Sequence, residues 1–347
     1  MPNQGSKNPR VYSGSIKIPN LIPMQSVGAA KPCDISVIIA HRGPEMGLWF
    51  TMESCMMGLE KTGLTYEFRI CANGEETISD DMRRIQHWTE QEGHIGEFFH
   101  SVQPLAPPTA RQMVTEHANG KYLFFFDNHC LPTPGYFLRG VQSMEKYNID
   151  FLHSTTKFFS GEGTDYEYKL SLKRDFWTLE PYKKPLDPEN PYRIACAGHG
   201  GFVVRNSAWK ECRGYWEGFE GYGGEETYTD LKFWLFGKQV WLDPLMIHKH
   251  WAGKREYTRH FTDDFFRNMY MAANCIGGEA WLARVFSSTM KCSRFVNKRE
   301  LIKIKPLYDL MVEAQKKSQS HSEWIASRRT KTLDELLVWF DENGIRR

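Results

Sequence analysis

Asp127 and His129 stand two residues apart, directly after the apolar run Tyr122–Phe126 in the stretch "KYLFFFDNHC". If extended geometry persists past the run, their side chains share one side of the chain. A carboxylate oxygen and an imidazole nitrogen together suit a divalent ion such as Mn²⁺, with coordination positions left for substrate oxygens. A D-x-H pair also occurs as a polar strand end with a hydrogen-bonded histidine, so the pair alone leaves both readings open. Two further acids, Glu225 and Glu226, follow a Gly-Gly pair at the start of "GGEETYTDLKFWLFG". There they suit the first turn of a helix, where the dipole favours negative charge.

The elements around these residues decide where they sit. "DISVIIA" (34–40) is a β-branched apolar run of the kind buried on both faces of a parallel sheet. "MGLWFTMESCMMGLEKTG" reads as a helix stopped by Gly63, and "YEFRICANG" (66–74) as the second strand, ending in a turn at Asn73. "ISDDMRRIQHWTEQEG" and "TARQMVTEHANG" read as helices, the latter ending at Gly120, and "YLFFFD" is the next strand. Strand alternating with helix implies right-handed crossovers and a mostly parallel sheet. Ligands of such sheets bind beyond the carboxyl ends of the strands, where the turn at Asn73 and the Asp127 group both lie. From about residue 150 the alternation gives way. A charged, aromatic segment follows (157–192), then a Gly-rich turn into a short strand, "GHGGFVVR", the helix over 223–237, and a strand in "KQVWLDP".

At 347 residues the chain holds one large α/β domain with additions, or two domains. Its net charge of +2 makes no case for nucleic acid by itself, but the charge is unevenly spread. Residues 1–32 carry four basic residues and no acid, and residues 291–347 carry 13 Lys and Arg against 8 Asp and Glu. The eight cysteines are scattered without a CxxC pair and read as reduced thiols. No long apolar run or secretory h-region occurs, so the expectation is a protein of the cytosol with no membrane contact.

The second half, "AGHGGFVVR…GYGGEETYTDLKFWLFGKQVWLDPLMIHKHW", resembles the catalytic domain of polypeptide N-acetylgalactosaminyltransferases and, more broadly, family-2-type glycosyltransferases. That pattern is a Gly-Gly turn, an aromatic-Gly-Gly-Glu box opening a helix, then a Gly, a strand and a His. Gly200 and Gly201, Tyr222 through Glu225, Gly237 and His250 match it in order. The D-x-H-Cys of the family matches Asp127 through Cys130. The resemblance covers residues 34–285 and implies a Rossmann-like nucleotide-sugar fold of the A type. It divides the chain into a basic arm (1–33), a catalytic domain (34–285) and a basic, helical C-terminal appendage (286–347).

The resemblance also implies roles. Asp127, His129 and His250 would hold Mn²⁺ or Mg²⁺ against the diphosphate of a UDP-sugar. His248 is the alternative third ligand, and counting from Pro244 favours His250. Donor contacts would come from His41, Asn73, Arg111, Gly200 and Gly201, with Lys254, Arg255 and Tyr257 closing as a lid. The family has an Asp-Asp pair after the second strand, whereas "CANGEE" puts Asn73 in place of the second Asp, so the base contact would fall to an amide. Glu225 and Glu226 would supply acid/base chemistry, with helix capping as the competing role. Tyr222 and Trp251 would stack on the acceptor. The D-x-H with this second half leans to retention of configuration.

The expected function is therefore transfer of a sugar from a UDP-sugar to a hydroxyl. The basic arm and tail point to a phosphate backbone, hence to DNA. The acceptor would be a hydroxymethylated pyrimidine such as hydroxymethylcytosine, flipped from the duplex. This resembles phage DNA-hypermodifying glycosyltransferases and fits a bacterial or phage-infected cytosol. The competing acceptors are a protein Ser/Thr or a glycan precursor. Two other classes compete: a nucleotide-sugar-binding module without turnover, and a metal-dependent nucleotidyltransferase, which "AHRGPEMG" matches only loosely as a phosphate loop.

Overall fold

The computed structural model describes residues 21–23, 32–42, 45–74, 79–91, 95–101, 105–160, 163–167, 184–221, 223–251, 263–291 and 304–345. Its elements run β1 (Leu21–Pro23), β2 (Cys33–His41), α1 (Glu45–Leu59), β3 (Tyr66–Asn73), α2 (Asp80–Gln91), β4 (Ile95–Ser101), α3 (Pro107–Thr115), β5 (Gly120–Asp127), β6 (Cys130–Pro132) and α4 (Tyr136–Lys146). They continue with β7 (Phe151–Ser160), β8 (Gly163–Glu167), β9 (Tyr192–Arg193), β10 (Gly201–Arg205), α5 (Asn206–Glu211), α6 (Glu225–Leu235), β11 (Val240–His250), α7 (Asp263–Lys291), α8 (Ile304–Arg328) and α9 (Leu333–Glu342).

All strands join one sheet in the order β1-β4-β3-β2-β5-β10-β7-β11-β6, with β8 on β7 and β9 on β11. Strands β4, β3, β2 and β5 are parallel, as are β7 and β11. Between these two groups β10 runs antiparallel to both neighbours. The central sheet is thus mostly parallel, and the carboxyl ends of β2, β3, β5 and β11 share one edge with the amino end of β10. Among the described residues no helix is long and apolar enough to cross a membrane.

Helices cover both faces. In β5, Tyr122, Phe124 and Phe126 enter the cluster under α1 and α4, while Leu123 and Phe125 enter the one under α3, α5 and α6. This two-sided burial is why the strand is one unbroken apolar run. Leu307, Leu310, Ala314, Leu333 and Phe340 of α8 and α9 lie in the same cluster as Tyr228 and Leu231 of α6. The C-terminal helices therefore share the core of the sheet's α6 face, and α7 runs unbroken in sequence across residue 285, kinked at Gly278 (φ 74°).

Three local readings need correction. Helix α3 ends at Thr115, not Gly120, which opens β5. A Cβ on Gly120 would stand 2.3 Å from the Ser36 backbone nitrogen, so the glycine is there for a close strand approach. Strand β4 ("IGEFFHS") stands between α2 and α3, where the pattern showed only helices. Strand β7 was also hidden, because four of its buried residues, His153, Ser154, Thr155 and Thr156, are polar. Internal hydrogen bonds engage His153, Ser154 and Thr155, as Ser154 does the Gly201 carbonyl at 2.6 Å.

Phe125 is fully buried, stacked on Phe202 at 4.4 Å and tilted on Trp209 at 4.8 Å. Phe125→Ala is expected to cost about 3–5 kcal/mol of unfolding free energy. Val338→Ala, on a side chain 57% exposed, should stay within about 0.5 kcal/mol. Urea unfolding of both variants checks this, and equal midpoints would contradict the assigned core.

Candidate active site

Strand parity places Asp127. It continues the series Leu123 and Phe125, so it faces the α3 side, from which Arg111 reaches it. Two residues later the chain enters β6, which pairs with β11 so that Cys130 lies opposite His250. That pairing carries His250 to His129, with ring centroids 4.5 Å apart. His250 Nε2 lies 3.1 Å from Asp127 Oδ2. One potential ligand atom from each of Asp127, His129 and His250 falls within 4.8 Å of the other two.

These donors fit a divalent ion. Two ligand atoms at right angles on an octahedral ion with bonds of about 2.1 Å stand about 3 Å apart, close to the Asp127–His250 separation. One carboxylate oxygen and two imidazole nitrogens suit Mn²⁺. The other nitrogen of His250, Nδ1, is buried and has no hydrogen-bond partner among the described residues. His248 does not join the trio. It is fully buried one layer below, its Nδ1 2.8 Å from the Ser154 hydroxyl, and burial with His250 nearby pushes its pKa down to about 3.

Arg111 is the pivot behind Asp127. Its guanidinium is buried, donating to Asp127 Oδ1, to the His199 carbonyl at 3.2 Å and to the Tyr215 hydroxyl at 3.3 Å. Burial acts to raise the Asp127 pKa, but the Arg111 charge and the His250 hydrogen bond outweigh it and hold the carboxyl well below its usual range. Tyr215 in turn lies 2.8 Å from His199 Nδ1, and His199 Nε2 lies 3.0 Å from Asp230. Asp230 is also 3.1 Å from His153 Nε2 and accepts the Ala197 N–H at 2.9 Å. His153, His199 and Asp230 are ligand types too, but the bonds run consistently from Arg111 through Tyr215 and His199 to Asp230. We read this trio as a buried hydrogen-bonded network, with His153 Nδ1 left without a partner among the described residues. Burial opposes ionisation of Asp230, yet His153 and His199 bring its pKa down to about 2.

The two acids of the box make different contacts. Gly223 and Gly224 have φ of 113° and 83°, and a Cβ on Gly223 would stand 2.3 Å from the Phe265 ring. Only glycine makes this turn with α7 packed against it. Glu225 is buried and folds back, its Oε2 accepting the Gly223 N–H at 2.8 Å, as a helix-start carboxylate does. Glu226 is half-buried and its Oε1 accepts the His199 N–H at 3.0 Å. Burial raises its pKa to about 7, His199 opposing and Glu225 adding to the rise. That is the value a general base needs near neutrality.

The remaining candidates divide. Gly200 gives its carbonyl to the Asp127 N–H at 3.2 Å. A Cβ on Gly201 would stand 2.6 Å from His248 Nδ1, so this glycine makes room for the histidine layer. The Asn73 amide binds the Leu105 backbone twice, at 2.7 and 2.9 Å, and is 3% exposed. His41 is fully buried, 2.8 Å from the Asn128 amide nitrogen. Trp251 is 53% exposed, and its backbone N–H donates to the His129 carbonyl at 3.1 Å. Tyr222, Lys254, Arg255 and Tyr257 lie outside the described residues. The sequence reading passed over Asn128, His153, His199, Tyr215 and Asp230. Asn128 and His199 lie inside the quoted motifs "DNHC" and "GHGG", while nothing local distinguishes the other three.

Residues 60–213 match the model of Glycosyl transferase family 2. No curated protein matches the sequence significantly. Among solved structures, GalNAc-T7 with UDP, GalNAc and Mn²⁺ is similar at a TM-score of 0.61 and 14% identity, over 82% of this chain and 55% of that one. The chain thus spans about half the length of that relative. S. aureus TarS 1-349 in complex with UDP-GlcNAc is similar at 0.55 and 14% identity, over 84% of this chain and 83% of that one. The same TarS segment in another structure gives 0.54 and 14% identity, over 90% and 88%. The fold is the A-type fold that these solved structures share.

Gly201→Ala should cost about 1–3 kcal/mol by overpacking. Adding His248→Ala should recover part of that loss, since the two sites share one space. A double-mutant cycle by chemical unfolding reads the coupling, and strict additivity would contradict the packing described.

Proposed function

We propose that the chain is a metal-dependent glycosyltransferase that moves a sugar from a UDP-sugar to an acceptor hydroxyl. One observation carries the reading: Asp127, His129 and His250 converge at the carboxyl edge of an A-type sheet, with Glu226 poised near neutrality on the neighbouring helix. UDP and Mn²⁺ in the GalNAc-T7 structure, and UDP-GlcNAc in that of TarS, support the same donor class. A divalent ion on these three residues would offset charge on the departing diphosphate.

The protein's own groups do the rest. Arg111 keeps Asp127 ionised at any working pH. Glu226 takes the acceptor proton, and Glu225 holds the helix start that aims it. Trp251 offers an exposed ring beside His129 for stacking on sugar or acceptor. Lys254, Arg255 and Tyr257 would meet the phosphates, and Tyr222 the acceptor. Asn73 would set the base pocket by holding the Leu105 backbone. Gly200 and Gly201 would let the donor and the histidines approach closely.

For the acceptor we favour a hydroxymethylated pyrimidine in DNA, which would place the reaction in a cytosol. What supports it is the charge of the flanking sequence: the acid-free arm, and the tail in which Arg328 and Lys331 are exposed at the end of α8.

Incubation with Mn²⁺ and a panel of UDP-sugars should release UDP, whereas binding without release would indicate a non-catalytic module. Glu226→Gln should lower turnover by about 10²-fold with donor affinity kept. Because the base must be deprotonated, wild-type kcat should rise with pH through about 7, and the variant should lose that limb. An equal loss in Glu225→Gln with an unchanged pH profile would contradict the assignment. Duplex DNA containing 5-hydroxymethylcytosine should gain a hexose or N-acetylhexosamine mass. A mass gain only on a peptide hydroxyl or a glycan would replace the DNA acceptor.

A further inference from the structure

We infer that Asn128, the middle residue of the Asp127-Asn128-His129 turn, is a positioning residue that fixes which nitrogen of His129 faces the metal ion, and that its amide orientation is coupled to the tautomer of His41. The inference rests on the metal reading above and concerns residues on the far side of the site from Arg111. His129 Nδ1 lies 2.9 Å from Asn128 Oδ1, and Asn128 Nδ2 lies 2.8 Å from His41 Nδ1. An amide oxygen only accepts and an amide nitrogen only donates. His129 must therefore carry its proton on Nδ1, which leaves the lone pair on Nε2. His41 Nδ1 must be an acceptor, so neutral His41 carries its proton on Nε2.

The opposite orientation of the amide would place NH₂ against His129 Nδ1. The proton would then sit on Nε2, and that nitrogen could not ligate. It would also require His41 to carry its proton on Nδ1 rather than Nε2, so the amide and both imidazoles switch together. A metal-bound histidine commonly donates its second N–H to a carboxylate or carbonyl, and loss of that acceptor typically costs 10–100-fold in metal affinity. Here a side-chain amide takes the part. The turn is also clamped by α1. A Cβ on Gly47 would stand 2.9 Å from the Asn128 carbonyl oxygen and 3.7 Å from His129 Cβ, so the helix packs directly against it.

Two substitutions separate an acceptor from a mere spacer. Asn128→Ala removes the acceptor. Asn128→Asp keeps the shape, still accepts from His129 Nδ1–H, and makes the imidazole a stronger base. Mn²⁺ binding to the full-length protein, measured by calorimetry at saturating UDP, should weaken about 10–100-fold in Asn128→Ala. Asn128→Asp should match or exceed wild type. Long-range ¹⁵N–¹H spectra of the metal-free protein should show His129 protonated on Nδ1 in wild type and Asn128→Asp, and an altered tautomer in Asn128→Ala. Equal Mn²⁺ affinity and an unchanged tautomer in Asn128→Ala would overturn the inference while leaving the metal site standing, as would equal weakening by both substitutions. A wild type that binds no Mn²⁺ would overturn the metal reading, and this inference with it.

Discussion

The carboxylate of Asp127 is divided between two nitrogen partners, and the site is arranged around that division. One oxygen belongs to the buried guanidinium of Arg111, the other faces His250 across 3.1 Å. A buried arginine without its acid is costly, about 3–5 kcal/mol when one member of such a pair is removed. The pair is therefore a structural commitment as well as a chemical one. It ties α3 to the end of β5, and through the His199 carbonyl it ties both to the turn before β10.

From Arg111 the order spreads inward. Tyr215, His199, Asp230 and His153 are linked in turn, so most of their polar atoms are buried at tolerable cost. The same His199 offers its N–H to Glu226 and its carbonyl to Arg111. Glu226 and the arginine that holds Asp127 are thus both tied to one residue's backbone. This gives the two halves of the site a common reference: the parallel strands supply Asp127, and the antiparallel β10 with α6 supplies Glu226.

Much of this was legible in the sequence. An apolar run ending in Asp-x-His marks a strand buried on both faces that emerges at the ligand edge, and the glycine-acid box marks a helix start. Asp127, His129 and His250 lie together as the resemblance implied, and Glu225 with Glu226 sits at the start of α6. Strand β7 was not legible, because its buried polar residues depend on partners 40 to 100 positions away, as Ser154 does on Gly201 and His248. The pairing of Asn73 with Leu105 was hidden for the same reason: an amide before a glycine reads as a turn residue until the opposing backbone is known. Asn128 was in plain view, but its role requires knowing that His41 returns to the same edge. The C-terminal helices show a basic surface in sequence, and the apolar stripe that seats them on α6 emerges only when the register is seen.

The central claim is that Asp127, His129 and His250 together hold a divalent ion at the carboxyl edge. The most direct measurement is pulsed electron paramagnetic resonance of Mn²⁺ bound to the protein with UDP. The account predicts hyperfine coupling to two directly ligated imidazole nitrogens in wild type, and to one in His250→Ala. A spectrum with no nitrogen coupling, or one unchanged by His250→Ala, would contradict it.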